Sequence, residues 1–81
     1  MDKWLKELIL KNIRKELKDA RTSKGITLEE AAKETGLKTK GGMAHLESGR
    51  NSIKIDTFLE LVNLYGIEVE MRYNGRTIII N

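Results

Sequence analysis

The 81-residue chain contains no cysteine, no proline and a single histidine. The absence of cysteine excludes disulfides, thiol nucleophiles and thiolate metal ligands, and one histidine argues against a zinc or iron site. No set of nucleophile, base and orienting group can be assembled around that one histidine. A chain this short buries only about 60% of its unfolded surface, which leaves little room for a substrate pocket. We therefore predict one small non-enzymatic domain without a catalytic site, a metal or a cofactor.

Long apolar runs are also missing. No segment approaches the roughly 20 apolar residues of a membrane span, and Lys3, Lys6 and Glu7 interrupt the apolar run that a secretory signal would need. These two absences predict a cytoplasmic protein that has no membrane partner.

The charge of the chain is only slightly basic, with 15 Lys and Arg against 12 Asp and Glu and a formal net charge of +3. Its distribution is more informative. Residues 37–54 contain four Lys or Arg and one acid, whereas residues 55–70 contain four acids and no Lys or Arg. We expect one basic and one acidic surface, and the basic surface would suit a polyanionic partner.

Helical periodicity dominates the first two thirds of the chain. Apolar residues at steps of three and four predict a helix from about Asp2 to Lys24, either continuous or broken near Asn12. Three shorter helices are predicted to follow. Each follows a capping side chain and stops before a glycine: Thr27 caps a helix to about Thr35, Thr39 caps one from about Lys40 to Ser48, and Asp56 caps one to about Tyr65.

The last fifteen residues change period. Residues 67–73 alternate apolar and polar side chains, which predicts a half-buried strand. Asn74-Gly75 is a strong signal for a two-residue hairpin turn, and the β-branched residues that follow predict the return strand. The expected organisation is a single domain, 1–81, with three parts: an N-terminal helical extension (1–12), a helical core (13–66) and a C-terminal β-hairpin (67–81).

Two of the short helices, joined by a turn that contains Gly36, have the arrangement of a helix-turn-helix. Ala32 is small enough to let the second helix approach closely, and Met43 is placed to anchor that helix in the core. Gly36 is expected to take a left-handed conformation in the turn. The outer face of the second helix would then be free to enter a major groove.

Five ordered segments of the core carry a family resemblance. They are Ile13–Arg21, Lys24-Gly25-Ile26-Thr27, Ala31–Leu37, Leu46-Glu47-Ser48-Gly49-Arg50, and the stretch from Ile55 to Ile67. In this order they resemble the Xre/Cro-like helix-turn-helix family of phage-repressor-like domains. The resemblance implies a mainly α, lambda-repressor-like bundle of four or five helices, here with a C-terminal β-hairpin. It also implies a DNA-binding transcriptional regulator, in which Glu47 holds the following loop and does not touch DNA.

The resemblance also implies the interface with double-stranded DNA: the turn, the second motif helix and the loop that follows it. Its basic residues are expected to contact phosphates, and the alternative for them is an ordinary solvated surface. His45 either contacts DNA or has no role. The glycine pair at the helix start either admits close approach of the DNA or marks a frayed end. The candidate DNA-binding residues are Lys38, Thr39, Lys40, Gly41, Gly42, His45, Arg50, Asn51 and Lys54.

Three features depart from the family pattern. Leu28 stands where the family commonly has a phosphate-contacting glutamine, and the turn around Gly36 is one residue longer than usual. Gly41 and Gly42 occupy positions at which base-reading side chains are usual, and glycine has no side chain for that purpose. These departures leave a second interpretation open, a protein-interaction module that keeps the fold but has lost DNA binding.

Two apolar segments have no evident place in a helix-turn-helix core. An isolated hairpin is marginal in water, and consecutive isoleucines on one strand invite pairing. A homodimer with a shared sheet would satisfy both facts, and the alternative is a hairpin packed on its own helices. The candidate dimerisation residues are Met71, Tyr73, Ile78, Ile79 and Ile80. Some antitoxins of type II toxin–antitoxin pairs combine an Xre-like domain with a dimerising strand, so a cognate toxin is a further candidate partner.

The second apolar segment is the N-terminal extension. It carries four large apolar side chains within six residues, namely Trp4, Leu5, Leu8 and Ile9. They are expected either to cover the domain's own core or to pair with another chain.

Overall fold

The computed structural model describes all 81 residues and contains four helices followed by one antiparallel hairpin. This confirms the predicted mainly α class with a C-terminal hairpin. The elements are α1 Lys3–Ser23, α2 Leu28–Lys33, α3 Lys40–Ser48, α4 Ile55–Tyr65, β1 Glu70–Tyr73 and β2 Arg76–Ile79. None of the four helices combines the length and apolar character needed to cross a bilayer.

Helix α1 is continuous across Asn12. Its N-terminus is capped by Asp2, whose carboxylate accepts a hydrogen bond from the Trp4 backbone N–H at 2.8 Å. Leu17 and Arg21 are buried near its other end. The chain leaves the helix through Gly25, which has a φ of +68°.

The apolar residues of α1 do not form a single face. Leu10 and Ile13 are half-buried, and Ile13 is the first apolar residue of α1 that packs on the core. By contrast, Trp4, Leu5, Leu8 and Ile9 are exposed. At about 100° per residue, these four exposed positions point about 150° away from the mean direction of the buried and half-buried positions of α1. The N-terminal extension therefore does not cover the domain's own core.

The caps predicted for α2 and α3 are confirmed. The Thr27 hydroxyl accepts from the Glu30 N–H at 3.1 Å, and the Glu30 carboxylate accepts from the Thr27 N–H at 3.4 Å, which completes a capping box. The Thr39 hydroxyl accepts from the Gly42 N–H at 3.0 Å. Helix α3 has the predicted bounds and ends at Gly49 with a φ of +88°.

The predicted cap of α4 is wrong by two residues. The cap position is Lys54, which makes no side-chain capping bond, and Asp56 lies inside the first turn. Its carboxylate accepts from the Thr57 N–H at 2.9 Å. An aspartate there is still favourable, because its negative charge lies near the positive end of the helix dipole.

The prediction for the turn between α2 and α3 is also wrong. The left-handed residue is Lys38, with a φ of +64°, and Gly36 has no positive φ. The backbone N–H of Lys38 donates to the Ala32 carbonyl at 3.2 Å, so the reversal occurs two residues later than expected. The left-handed position of this turn is therefore occupied by a lysine and not by a glycine.

All four helices contribute to one core, whose buried apolar residues are Leu17, Ala31, Ala32, Met43, Leu46, Leu61, Val62 and Tyr65. Met43 is fully buried and Ala32 is 1% exposed. Both therefore have the packing roles predicted for a helix-turn-helix.

The hairpin turns at Asn74 and Gly75, whose φ values of +50° and +73° are those of the predicted two-residue turn. The expectation of a half-buried strand is wrong, because every residue of β1 and β2 is exposed. Only the base of the hairpin packs on the helices, through the partly buried Ile67 and Val69. The Asn81 carboxamide fastens this base by donating to the carbonyls of Ile67 at 2.7 Å and Val62 at 3.1 Å.

Candidate nucleic-acid interface

Exposed cations surround the outer side of α3. Lys38 lies in the turn before it, Lys40 is its first residue, and Arg50 and Lys54 lie in the loop after it. All four are exposed, and none takes part in the three salt bridges of the structure, which use other residues. Four unpaired positive charges therefore lie immediately before and after α3 along the chain.

The turn and the loop meet along one groove of about 600 Å³. Gly36 and Leu37 line it from the turn, and Arg50, Asn51 and Lys54 line it from the loop. Asp56 and Glu60 of α4 form its far side. The structure thus brings three of the candidate loop residues beside the turn, with the acidic face of α4 next to them.

The two glycines at the start of α3 have different surroundings. A β-carbon at Gly42 would lie 3.2 Å from the Thr39 hydroxyl oxygen and 3.3 Å from the Leu37 carbonyl oxygen. Gly42 therefore lets the helix start pack closely against the turn and the capping threonine. A β-carbon at Gly41 would meet nothing within 4 Å, so only Gly41 leaves open space at the exposed start of α3.

His45 lies one turn further along α3 and is half-buried, like its neighbour Ala44. The His45 carbonyl accepts from the backbone N–H groups of Arg50 at 3.0 Å and Asn51 at 3.3 Å. The backbone of this histidine therefore helps to fold the loop that carries two candidate residues.

An arginine that the sequence prediction missed also holds this loop. Arg14 donates from Nε to the Leu46 carbonyl at 3.0 Å and from a terminal nitrogen to the Asn51 carbonyl at 2.9 Å. These bonds join α1 to the end of α3 and to the loop. The sequence carries no local signal for them, because the partners lie 32 and 37 positions away.

The residue expected to hold the loop, Glu47, has a different partner. Its carboxylate accepts from Arg21 Nε at 2.7 Å and from a terminal nitrogen of Arg21 at 3.1 Å. Arg21 also donates to the Ile26 carbonyl at 2.8 Å. The two side chains are only 10% and 7% exposed. Glu47 is structural, as the resemblance implies, but it joins α3 to α1.

Tyr65 lies on the buried side of this ion pair. Its hydroxyl is buried without a hydrogen-bond partner. Burial, and then the negative charge of Glu47, raise the pKa of Tyr65 to about 12, so the side chain stays neutral under physiological conditions. Hydrogen bonding to Glu47 raises the pKa of Arg21 as well. The Arg21 side chain therefore stays protonated throughout the physiological pH range.

The candidate dimerisation residues divide between the two faces of the hairpin. The pairing of Met71 with Ile78, and of Glu70 with Ile79, sets the register. Because directly paired residues share a face and side chains alternate along a strand, Ile79 lies on the face opposite the others. The remaining four candidates share one face: Met71, Tyr73, Ile78 and Ile80.

No group of three or more His, Cys, Asp or Glu side chains is placed to hold a metal ion.

Comparison with known proteins gives one match. A protein-family model described as helix-turn-helix matches residues 17–71. This range begins at the buried Leu17, contains α2, α3 and α4, and ends inside β1. No curated protein and no solved structure matches the chain.

Proposed function

The chain belongs to the Xre/Cro-like helix-turn-helix family of DNA-binding regulators, and from that premise we propose that it is a transcriptional repressor that binds duplex DNA as a homodimer. The observation that carries the proposal is the set of four unpaired, exposed cations that flank α3. Phosphates are the natural partners of such a set, since cationic side chains release condensed counterions when they bind DNA. The same proposal places the protein in the cytoplasm with the DNA.

In this proposal α3 enters the major groove and the residues on either side of it grip the backbone. Arg50 and Lys54, on the loop fastened by Arg14, contact phosphates on one side of the groove. Lys38 and Lys40 do so on the other side. Base contacts then fall to the outward side of α3, where His45 offers a hydrogen-bonding ring and Ala44 a methyl group suited to thymine.

Dimerisation completes the proposal. Two recognition helices related by a two-fold axis read half-sites about one helical turn apart, and the exposed apolar face of the hairpin is the proposed contact between protomers. In the antitoxin form of this role, the protein is an autoregulating repressor that also binds a cognate toxin as a protein partner.

Leu28 favours the second candidate function, the protein-interaction module. It packs partly against the core, so the position at which the family commonly contacts a phosphate offers no polar side chain. In this alternative the four cations are solvated surface, and duplex DNA is not bound even at low salt.

Fluorescence anisotropy with a random-sequence duplex, titrated at increasing salt, separates the two functions. We expect the logarithm of the association constant to fall linearly with the logarithm of the salt concentration, with a slope of about −0.9 for each phosphate contact. The double variant Arg50→Ala/Lys54→Ala should reduce the slope by about two such units. The matched control Lys24→Ala/Lys33→Ala removes the same charge from the end of α1 and from α2, outside both proposed interfaces, and should leave the slope unchanged. Equal losses in both variants, or no binding by the unaltered chain, would contradict the repressor.

A further inference from the structure

Two exposed apolar surfaces remain outside the DNA-binding face. The first is the N-terminal stripe, which we define as Trp4, Leu5, Leu8 and Ile9. Trp4 is 70% exposed and the other three are 38–41% exposed. The stripe points away from the core-facing side of α1, so no residue of its own bundle covers it.

The second surface is the hairpin face, which we define as Met71, Tyr73, Ile78 and Ile80. These side chains are 40–69% exposed. A two-stranded hairpin is stable in water only when a further strand or a helix packs on it. The hairpin face therefore needs an apolar cover that the chain's own bundle does not supply.

The two surfaces lie at opposite ends of α1. The hairpin leaves α4 at Gly66, where a β-carbon would lie 3.4 Å from the Lys24 side-chain nitrogen. The base of the hairpin is thus beside the C-terminal end of α1. The stripe is centred midway between Leu5 and Leu8, about seventeen residues earlier, which is about 26 Å along the helix. Within one chain the stripe and the base of the hairpin are a helix length apart.

Two copies of the chain can bring these surfaces together. We infer that, in the dimer, the N-terminal stripe of each protomer covers the hairpin face of its partner. This arrangement rests on the proposed dimer and specifies its contact. A two-fold axis that places the α1 helices antiparallel sets the N-terminal end of one helix beside the C-terminal end of the other. Each contact then occurs twice, as a two-fold interface requires.

The exposed area favours this pairing over contact between like surfaces. Each surface exposes the equivalent of about two large side chains, on the order of 400 Å². A stable specific interface covers about 800 Å² on each partner. Stripe against stripe, or hairpin against hairpin, would use only half of that area. The reciprocal pairing uses both surfaces of both chains.

The chemistry of the two surfaces also favours the pairing of the N-terminal stripe with the hairpin face. A helix laid on one face of a small sheet is a standard two-layer packing. Trp4 and Tyr73 supply the large aromatic anchors that dominate the energy of such interfaces. Each has an apolar ring to bury and one polar atom that can stay at the wet rim.

Cross-linking tests the pairing directly, because the chain has no cysteine of its own. A tagged Leu8→Cys chain is mixed with an untagged Ile78→Cys chain and treated with a short bis-maleimide. We expect a covalent heterodimer of the two variants and no cross-linked homodimer of either. A mixture of Glu29→Cys, on exposed α2, with Ile78→Cys is the control and should remain uncross-linked.

The possible outcomes separate this inference from the proposed function. Cross-linked homodimers of Ile78→Cys alone would mean that hairpins pair with each other. The dimer would then stand and the stripe contact would be overturned. Cross-linked homodimers of Leu8→Cys alone would overturn it in favour of paired stripes. If light scattering finds that the unaltered chain is a monomer, both the proposed dimer and the contact between the stripe and the hairpin face are refuted.

A charge placed in the interface gives an independent readout. Leu8→Glu should weaken dimerisation by roughly tenfold or more, since it buries an unpaired carboxylate. Leu59→Glu on α4 is the matched control, because Leu59 and Leu8 are both 39% exposed. Circular dichroism should show that both variants keep their helices. Equal dimer dissociation constants for the two variants would overturn the inference.

Discussion

Replacement of Lys38 by glycine should make the domain more stable and weaken its binding to DNA. Lys38 holds a φ of +64°, a region that costs an L-residue with a β-carbon about 1–2 kcal/mol. Glycine removes that cost but adds about 0.5–1 kcal/mol through the greater freedom of the unfolded chain. The net effect is a gain of about 0.5–1 kcal/mol, because the first term exceeds the second.

Thermal unfolding followed by circular dichroism measures this gain. For a domain of this size each kcal/mol moves Tm by about 4–8 °C, so Lys38→Gly should raise Tm by a few degrees. The matched control is Lys18→Gly, an exposed lysine inside α1. There the same substitution should cost about 1 kcal/mol, since glycine is a poor helix former, and should lower Tm.

Anisotropy with duplex DNA measures the opposite effect of the same substitution. If Lys38 contacts a phosphate, Lys38→Gly should reduce the salt slope by about 0.9. A decrease in Tm similar to that of Lys18→Gly would refute the reasoning about backbone strain. An unchanged salt slope beside a raised Tm would refute the phosphate contact alone and leave the strain in place.

Three further predictions concern the stability of the folded domain. Gly42→Ala should destabilise the domain, because the added β-carbon would crowd Thr39 and Leu37. Gly41→Ala should instead stabilise it by up to about 1 kcal/mol, because alanine is the better helix former. Equal changes in Tm for the two variants would contradict this prediction. Arg21→Gln should cost about 3–5 kcal/mol in urea unfolding, because it leaves the Glu47 carboxylate buried and unpaired; a cost below about 1 kcal/mol, as for a surface pair, would contradict it. The pKa of Tyr65 is raised in the folded state to about 12 from an ordinary 10.0, so its stabilising contribution is complete below pH 10 and is lost as the pH rises from 10 to 12. Tyr65→Phe should therefore reduce the decrease in Tm between pH 10 and 12. If the variant shows the same decrease as the unaltered chain, another group causes the loss of stability.

The sequence predicted best those features that depend on a few neighbouring residues. Helix α3 has the predicted bounds because Thr39 caps it locally and Gly49 ends it locally. Asn74-Gly75 forms the predicted turn for the same reason. The prediction for the α2–α3 turn was wrong because glycine is only the residue that takes a positive φ most easily. In this turn the backbone bond from Lys38 to Ala32 fixes the left-handed position elsewhere.

Features set by distant contacts were not predictable. Arg14 and Arg21 are two of many basic residues on an amphipathic helix, and nothing near them in the sequence indicates bonds to α3. Periodicity could not separate the N-terminal stripe from the core face of α1, because each step of three or four residues, taken alone, is consistent with one face. Each step also adds a small rotation about the helix axis. Over the length of α1 these rotations add up, so the apolar residues near its N-terminus lie on a different side from those that face the core.

Helix α1 connects the two interfaces proposed for this domain. Arg14 and Arg21 both join α1 to the proposed DNA-binding region. Arg14 bonds to the end of α3 and to the α3–α4 loop, and Arg21 bonds to Glu47 of α3. The same helix carries the N-terminal stripe two turns before Arg14. In a dimer held by that stripe, the direction of α1 fixes where each α3 lies relative to the two-fold axis, since the arginine bonds allow little independent movement. The spacing of the two half-sites on DNA then depends on α1 of one protomer and on the base of the partner's hairpin, where the equivalents of Ile67 and Val69 join the strands to the bundle.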